Sequence, residues 1–114
     1  MRLLVCGGRD YQGDVTCLEA LLPDIEILIH GGANGADMRA ATWATSHGVH
    51  TALVSALWKS YGKAAGFKRN TAMLLLQPTY CVAFPGGAGT RMMADLCRRN
   101  KITVWEPYLK NSNA

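Results

Sequence analysis

No apolar run in this chain approaches the roughly 18 residues of a membrane-spanning helix. Arg2 is followed by only four apolar residues before Gly7, too few for the core of a secretory leader. A cytoplasmic protein without a membrane partner is the expectation. Its four cysteines, Cys6, Cys17, Cys81 and Cys97, form no C-x-x-C pair and no zinc-like spacing, which favours reduced thiols over a disulfide framework. The three histidines, His30, His47 and His50, make no H-E-x-x-H or other ligand set, so no metal is expected. The sequence has no G-x-x-x-x-G-K-[ST] loop and no G-x-S-x-G elbow, and its glycine spacing departs from G-x-G-x-x-G. A P-loop kinase, a serine hydrolase and a conventional dehydrogenase are thereby disfavoured, and no cofactor is expected.

A long basic block is also missing. Twelve Lys and Arg stand against eight Asp and Glu, a net charge of +4, but they are scattered. This balance favours anionic partners. The scatter divides the basic residues between a pocket and solvated surface, and nucleic acid is not the expected partner. The runs of mixed base-stacking aromatics and cations that track a single strand are absent as well.

What is present is a chain of 114 residues, 49% hydrophobic, with 12 glycines. That is long enough for one domain with a core of its own. Short apolar runs alternate with helix-like patterns. Strands are expected at Leu3–Cys6, Ile25–Ile29, Val49–Val54, Tyr80–Phe84 and Ile102–Trp105. Helices are expected over Thr16–Leu22, Gly35–His47, Ala64–Leu76 and Arg91–Arg99, with a loop around Trp58. Near-continuous apolar strands suit a parallel sheet buried on both faces. The expected fold is therefore α/β, a Rossmann-like three-layer sandwich with a five-stranded parallel sheet over residues 1–109, followed by a polar tail at 110–114.

In such sheets ligands bind at the carboxyl ends of the strands, where strand order reverses. Three strand runs end in double glycines here: Gly7-Gly8-Arg9-Asp10, Gly31-Gly32-Ala33-Asn34-Gly35-Ala36-Asp37 and Gly86-Gly87-Ala88-Gly89-Thr90. Glycine lets a backbone approach a ligand closely, and the free N–H groups of a following helix attract an anion. Tight turns and close helix packing would use the same glycines. Their convergence on one sheet edge favours a ligand.

With these loops in place the chain resembles the SLOG superfamily. That group takes in the Lonely Guy phosphoribohydrolases, the DNA-processing protein DprA and the YpsA-like proteins, and the closest likeness is to the small YspA/YpsA-related branch. The resemblance rests on VCGGRDY (Val5–Tyr11), HGGANGAD (His30–Asp37), the Trp58 loop, GKAAGFKRNTAM (Gly62–Met73) and FPGGAGT (Phe84–Thr90). It implies a nucleotide-derived ligand at the glycine loops and a homodimer or higher homo-oligomer. In the Lonely Guy enzymes an arginine in an R-K-x-x-M-type segment and a glutamate in P-G-G-x-G-T-x-x-E serve the cleavage of base from ribose phosphate. Arg69 matches the arginine, whereas Met93 stands at the glutamate position. Methionine can neither activate water nor stabilise positive charge on the ribose. Asp37, ahead of Asp10 and Asp95, is the candidate replacement carboxylate.

Arg69 and Asp37 are thus the candidate catalytic pair. The candidate ligand-binding set is Gly7, Gly8, Arg9, Asp10, Gly31, Gly32, Asn34, Gly35, Asp37, Trp58, Arg69, Asn70, Gly86, Gly87, Gly89 and Thr90. Several members have structural alternatives. Arg9 and Asp10 suit a local salt bridge, Asp37 a helix-dipole contact, Asn70 a loop tie and Thr90 a helix cap. Trp58 suits either base stacking or loop packing, and Lys63 suits a phosphate contact but is expected at the surface. Trp43 and Trp105 are expected to pack, and Met73–Leu76 fits either the core or an interface. Three functions follow in order: a nucleotide-binding module that senses or sequesters its ligand, an N-glycosidase acting on nucleoside monophosphates, and single-stranded DNA binding.

Overall fold

The apolar runs pair into a five-stranded, all-parallel sheet in the order β3-β2-β1-β4-β5. A computed structural model describes residues 1–108; the polar tail expected at 110–114 lies outside them. The strands are β1 (Arg2–Cys6), β2 (Ile27–His30), β3 (His50–Leu53), β4 (Tyr80–Ala83) and β5 (Thr103–Trp105). The helices are α1 (Ala36–Ser46), α2 (Trp58–Tyr61), α3 (Ala65–Leu74) and α4 (Ala88–Arg99). Leu4 of β1 lies opposite Ile29 of β2 on one side and Cys81 of β4 on the other.

Because successive strand side chains alternate faces, the sheet divides its apolar residues between two cores. Leu3, Val5, Leu28, Val82 and Phe84 pack on one face with Ala36, Ala40, Trp43 and Ala44 of α1. The alanines let α1 lie close to the sheet. Leu4, Cys6, Ile29, Cys81 and Ala83 pack on the other face with Met73 of α3 and Met93, Ala94 and Cys97 of α4. All four cysteines are free thiols, and only Cys17 is not buried. Met73 is buried, while Leu75 and Leu76 beyond it are exposed. Among the described residues no helix is long and apolar enough to cross a membrane.

Four sequence expectations need correction. The Thr16–Leu22 segment is no α-helix but a 3-10 turn at Thr16–Ala20, followed by a second at Leu22–Asp24 that contains Pro23. Its bonds run i to i+3, from Leu18 N–H to Val15 O and from Leu21 N–H to Leu18 O, and apolar spacing of three fits either helix type. Pro23 has no N–H with which to extend the ladder. The second strand begins at Ile27, since Ile25 still belongs to the end of that turn. The segment around Trp58 is α2, continued by a 3-10 turn at Gly62–Ala64, rather than an open loop. Finally, burial on both faces holds for β1, β2 and β4 but not at the edges: three of the four β3 residues are exposed, as is Thr103 in β5.

Strand order reverses between β1 and β4. The chain steps outward from β1 through β2 to β3, then returns to the far side of β1. The loops after β1 and β4 therefore leave the sheet in opposite senses and open a crevice between them.

Candidate functional site

The three glycine loops meet at this crevice through backbone contacts. Gly8 N–H donates to Pro85 O at 2.9 Å, and Ala36 N–H donates to Gly8 O at 3.2 Å. Glycine is needed here by packing. A Cβ on Gly7 would lie 2.5 Å from Ala36 Cβ and 2.8 Å from Phe84 Cβ. One on Gly35 would strike the carbonyl oxygens of Gly8 and Arg9, and Gly35 also has φ +76°. One on Gly86 would lie 2.7 Å from Gly8 N. These glycines let the turns after β1, β2 and β4 touch.

The joined loops floor a cleft of about 890 Å³, walled by α3 and the first turn of α4. Gly87 and Gly89 border it as well, but a Cβ on either would meet nothing within 4 Å, and neither has positive φ. Packing therefore does not account for them. Gly87 is the N-cap of the 12-residue α4 and provides no side-chain cap, and the helix's first residues border the cleft. Thr90 does not cap the helix; a Cβ on Gly86 would run into its side chain.

Asp37 lies in the first turn of α1, and its residue is only 6% exposed. Its Oδ2 accepts from Gly31 N–H at 3.0 Å and Ala33 N–H at 3.4 Å, which folds the loop after β2 back on the helix. Burial pushes its carboxyl above the usual carboxylate range, partly offset by those two N–H groups and the Arg69 guanidinium. Arg69, on α3, donates from Nη1 to Gly31 O at 2.9 Å and from Nε to Asn70 Oδ1 at 3.1 Å. The cleft wall is thus an Asp37–loop–Arg69–Asn70 chain linking α1 to α3. His30 Nδ1 accepts from Gly32 N–H at 3.1 Å, and burial holds its pKa below the ordinary histidine value.

Of the sequence-derived set, Gly7, Gly8, Arg9, Asp10, Asp37, Trp58, Arg69, Asn70, Gly86, Gly87, Gly89 and Thr90 border the cleft. Gly31, Gly32, Asn34 and Gly35 do not. Gly31 lies behind the Arg69 side chain, Gly32 faces Leu53, Asn34 is exposed, and Gly35 borders a second cavity of about 680 Å³. Arg9 and Asp10 are both exposed, and no ion pair joins them. Lys63 is exposed as expected, yet it borders the cleft. Met93 also borders it, at 1% exposure, with its side chain committed to the core. Sequence reasoning missed Phe67 and Met92. The available signal was helical spacing, since Phe67, Asn70 and Met73 share one face of α3.

Among known proteins, the family model described as YspA, cpYpsA-related SLOG matches residues 1–61, which include the first two glycine loops and α2. The chain is 35% identical over 103 residues to the Gene 61 protein of Mycobacterium phage D29, covering 79% of this chain and 82% of the phage protein. No solved structure matches. The family model covers more than half of the chain, and on that ground the chain belongs to the YspA, cpYpsA-related SLOG family.

Proposed function

We propose that this protein binds a nucleotide or nucleotide-derived phosphorylated ligand in the cleft at the β1–β4 switch point, as a sensor or sequestering module. Family membership suggests a nucleotide-related ligand-binding role. The observation that carries the reading to this cleft is the pair Gly87 and Gly89. Both border it without any packing reason to be glycine, at the start of a 12-residue helix. Missing side chains at that turn let a phosphate reach the first N–H groups of α4, where the helix dipole favours negative charge. Arg9, Lys63 and Arg69 add cations around the same opening.

The test is a thermal-shift panel of nucleoside mono-, di- and triphosphates, ADP-ribose and cyclic nucleotides, on the wild type and Gly89→Asp. An aspartate in the first helical turn suits the helix dipole but repels a phosphate seated there. The variant should match or exceed the wild type in ligand-free stability and lose the ligand-induced shift. A ligand at 100 times its Kd adds about 2.7 kcal/mol to the wild type. No shift with any compound, or a shift kept by Gly89→Asp, refutes the reading.

A second reading, hydrolysis of an N-glycosidic bond, is favoured by one observation. Asp37 places a buried carboxyl of raised pKa on the same cleft wall as Arg69. Release of free base from a nucleoside monophosphate, abolished by Asp37→Asn, is the outcome expected of it. Met93, packed in the core at the position of the Lonely Guy glutamate, supports binding without turnover instead.

A further inference from the structure

We infer that the outer part of the cleft is a stacking jaw for a planar aromatic base, formed by Trp58 of α2, Phe67 of α3 and Met92 of α4; this rests on the nucleotide-binding reading above and names the part of the ligand it must contain. All three side chains border the cleft, and all three are largely exposed, Trp58 and Phe67 at 58% each and Met92 at 44%. Scattered exposed apolar residues are ordinary, but three large ones from three different helices around one opening make a surface that gains by being covered. The polar side chains deeper on the wall do not compete for that role. Asp37 is held by the loop after β2, and Arg69 is hydrogen-bonded to Gly31 and Asn70.

Trp58 reaches toward Gly66 without crowding it. The nearest atom that a Cβ there would meet is Trp58 Cη2, at 3.7 Å, so the indole edge reaches over the start of α3. Trp58 is also held by its place at the first position of a four-residue helix rather than in an open loop. The two ends of the cleft therefore differ in chemistry. A glycine-lined helix start suits an anion, and a tryptophan–phenylalanine–methionine mouth suits a flat apolar body. A nucleoside monophosphate carries both in one molecule, whereas a sugar phosphate carries only the first. Because every base presents a π-face, the jaw selects for the presence of a base rather than its identity.

The experiment compares adenosine 5′-monophosphate with ribose 5-phosphate by calorimetry, on the wild type, Trp58→Phe and Trp58→Ala/Phe67→Ala. Both Trp58 and Phe67 are more than half exposed, so the substitutions leave the cores intact. The wild type should bind the nucleotide about 5- to 150-fold more tightly than the sugar phosphate. In the double variant that ratio should collapse toward one. Trp58→Phe should keep most of it. Nucleotide should also change the tryptophan fluorescence of the wild type but not of Trp58→Phe, since Trp43 is buried and Trp105 is partly buried. Equal binding of the two ligands by the wild type, or a preference that survives in the double variant, overturns the jaw and leaves the phosphate site standing. Binding of neither ligand by the wild type overturns the jaw, and the reading on which it rests falls with it only if the thermal-shift panel is blank as well.

Discussion

Gly7→Ala tests whether the crevice floor depends on direct contact between its loops. A methyl at this position would lie 2.5 Å from Ala36 Cβ and 2.8 Å from Phe84 Cβ. Neither atom can swing away by rotamer change, because a Cβ moves only with its backbone. Relief requires α1 or the end of β4 to shift, and both are tied to Gly8 by the Ala36 and Pro85 hydrogen bonds. Overpacking of this kind costs about 1–3 kcal/mol, and two simultaneous contacts place the expectation in the upper half. With an unfolding entropy of about 2.1 cal/mol/K per residue, a chain of 114 residues loses roughly 4 °C of Tm per kcal/mol, a fall of about 8–12 °C. Gly89→Ala is the opposite case. It lies inside α4, its Cβ meets open space, and alanine is the better helix former, so Tm should rise by roughly 2–4 °C. Both are read by circular dichroism melts of the ligand-free protein. A Gly7→Ala melt within about 2 °C of wild type, or a loss of stability in Gly89→Ala, refutes the division of these glycines into packing and ligand roles.

Two predictions concern pH. Burial raises the Asp37 carboxyl above 3.8, so the folded state holds its proton more tightly than the unfolded chain. That contribution to stability is complete below 3.8 and is lost as pH rises through the raised folded value. Asp37→Asn removes it, so urea midpoints should show the wild type losing ground to the variant on going from acid to neutral pH; parallel profiles refute this. His30 carries the opposite sign, because burial lowers its pKa from 6.5 and its Nδ1 must stay unprotonated to accept from Gly32 N–H. The stability it contributes is complete above 6.5 and is lost as pH falls through the depressed folded value, a dependence that His30→Asn should lack in the same urea series.

Local pattern carried much of this protein. The alternation of apolar runs with helical spacing located all five strands and the three longer helices to within a few residues, because burial period and chain punctuation are properties of neighbouring residues. The segment before Pro23 was misread because apolar spacing of three is shared by α and 3-10 helices, and Asp14 adds a competing turn by accepting from Thr16 N–H at 3.1 Å. The double glycines after β1 and β4 marked the crevice floor for the same local reason, since each follows a strand end, whereas Gly31 and Gly32 after β2 do not border it. Phe67 and Met92 escaped notice because side chains on a helix declare a face but not what that face borders.

Which loops meet was a matter of tertiary structure. Gly8 and Pro85 lie far apart along the chain and touch only because β4 returns beside β1, a pairing set by non-local burial of two faces at once. The same return sends Met93 into the core, turns Arg69 onto Gly31 O, and separates glycines confined by neighbouring backbone from Gly87 and Gly89, which face open space. The alternating elements and the positions of the glycine turns were legible in the sequence, since both follow from the preferences of short stretches of chain. Strand order, and with it the cleft and the roles of the residues around it, was decided only when the whole sheet packed.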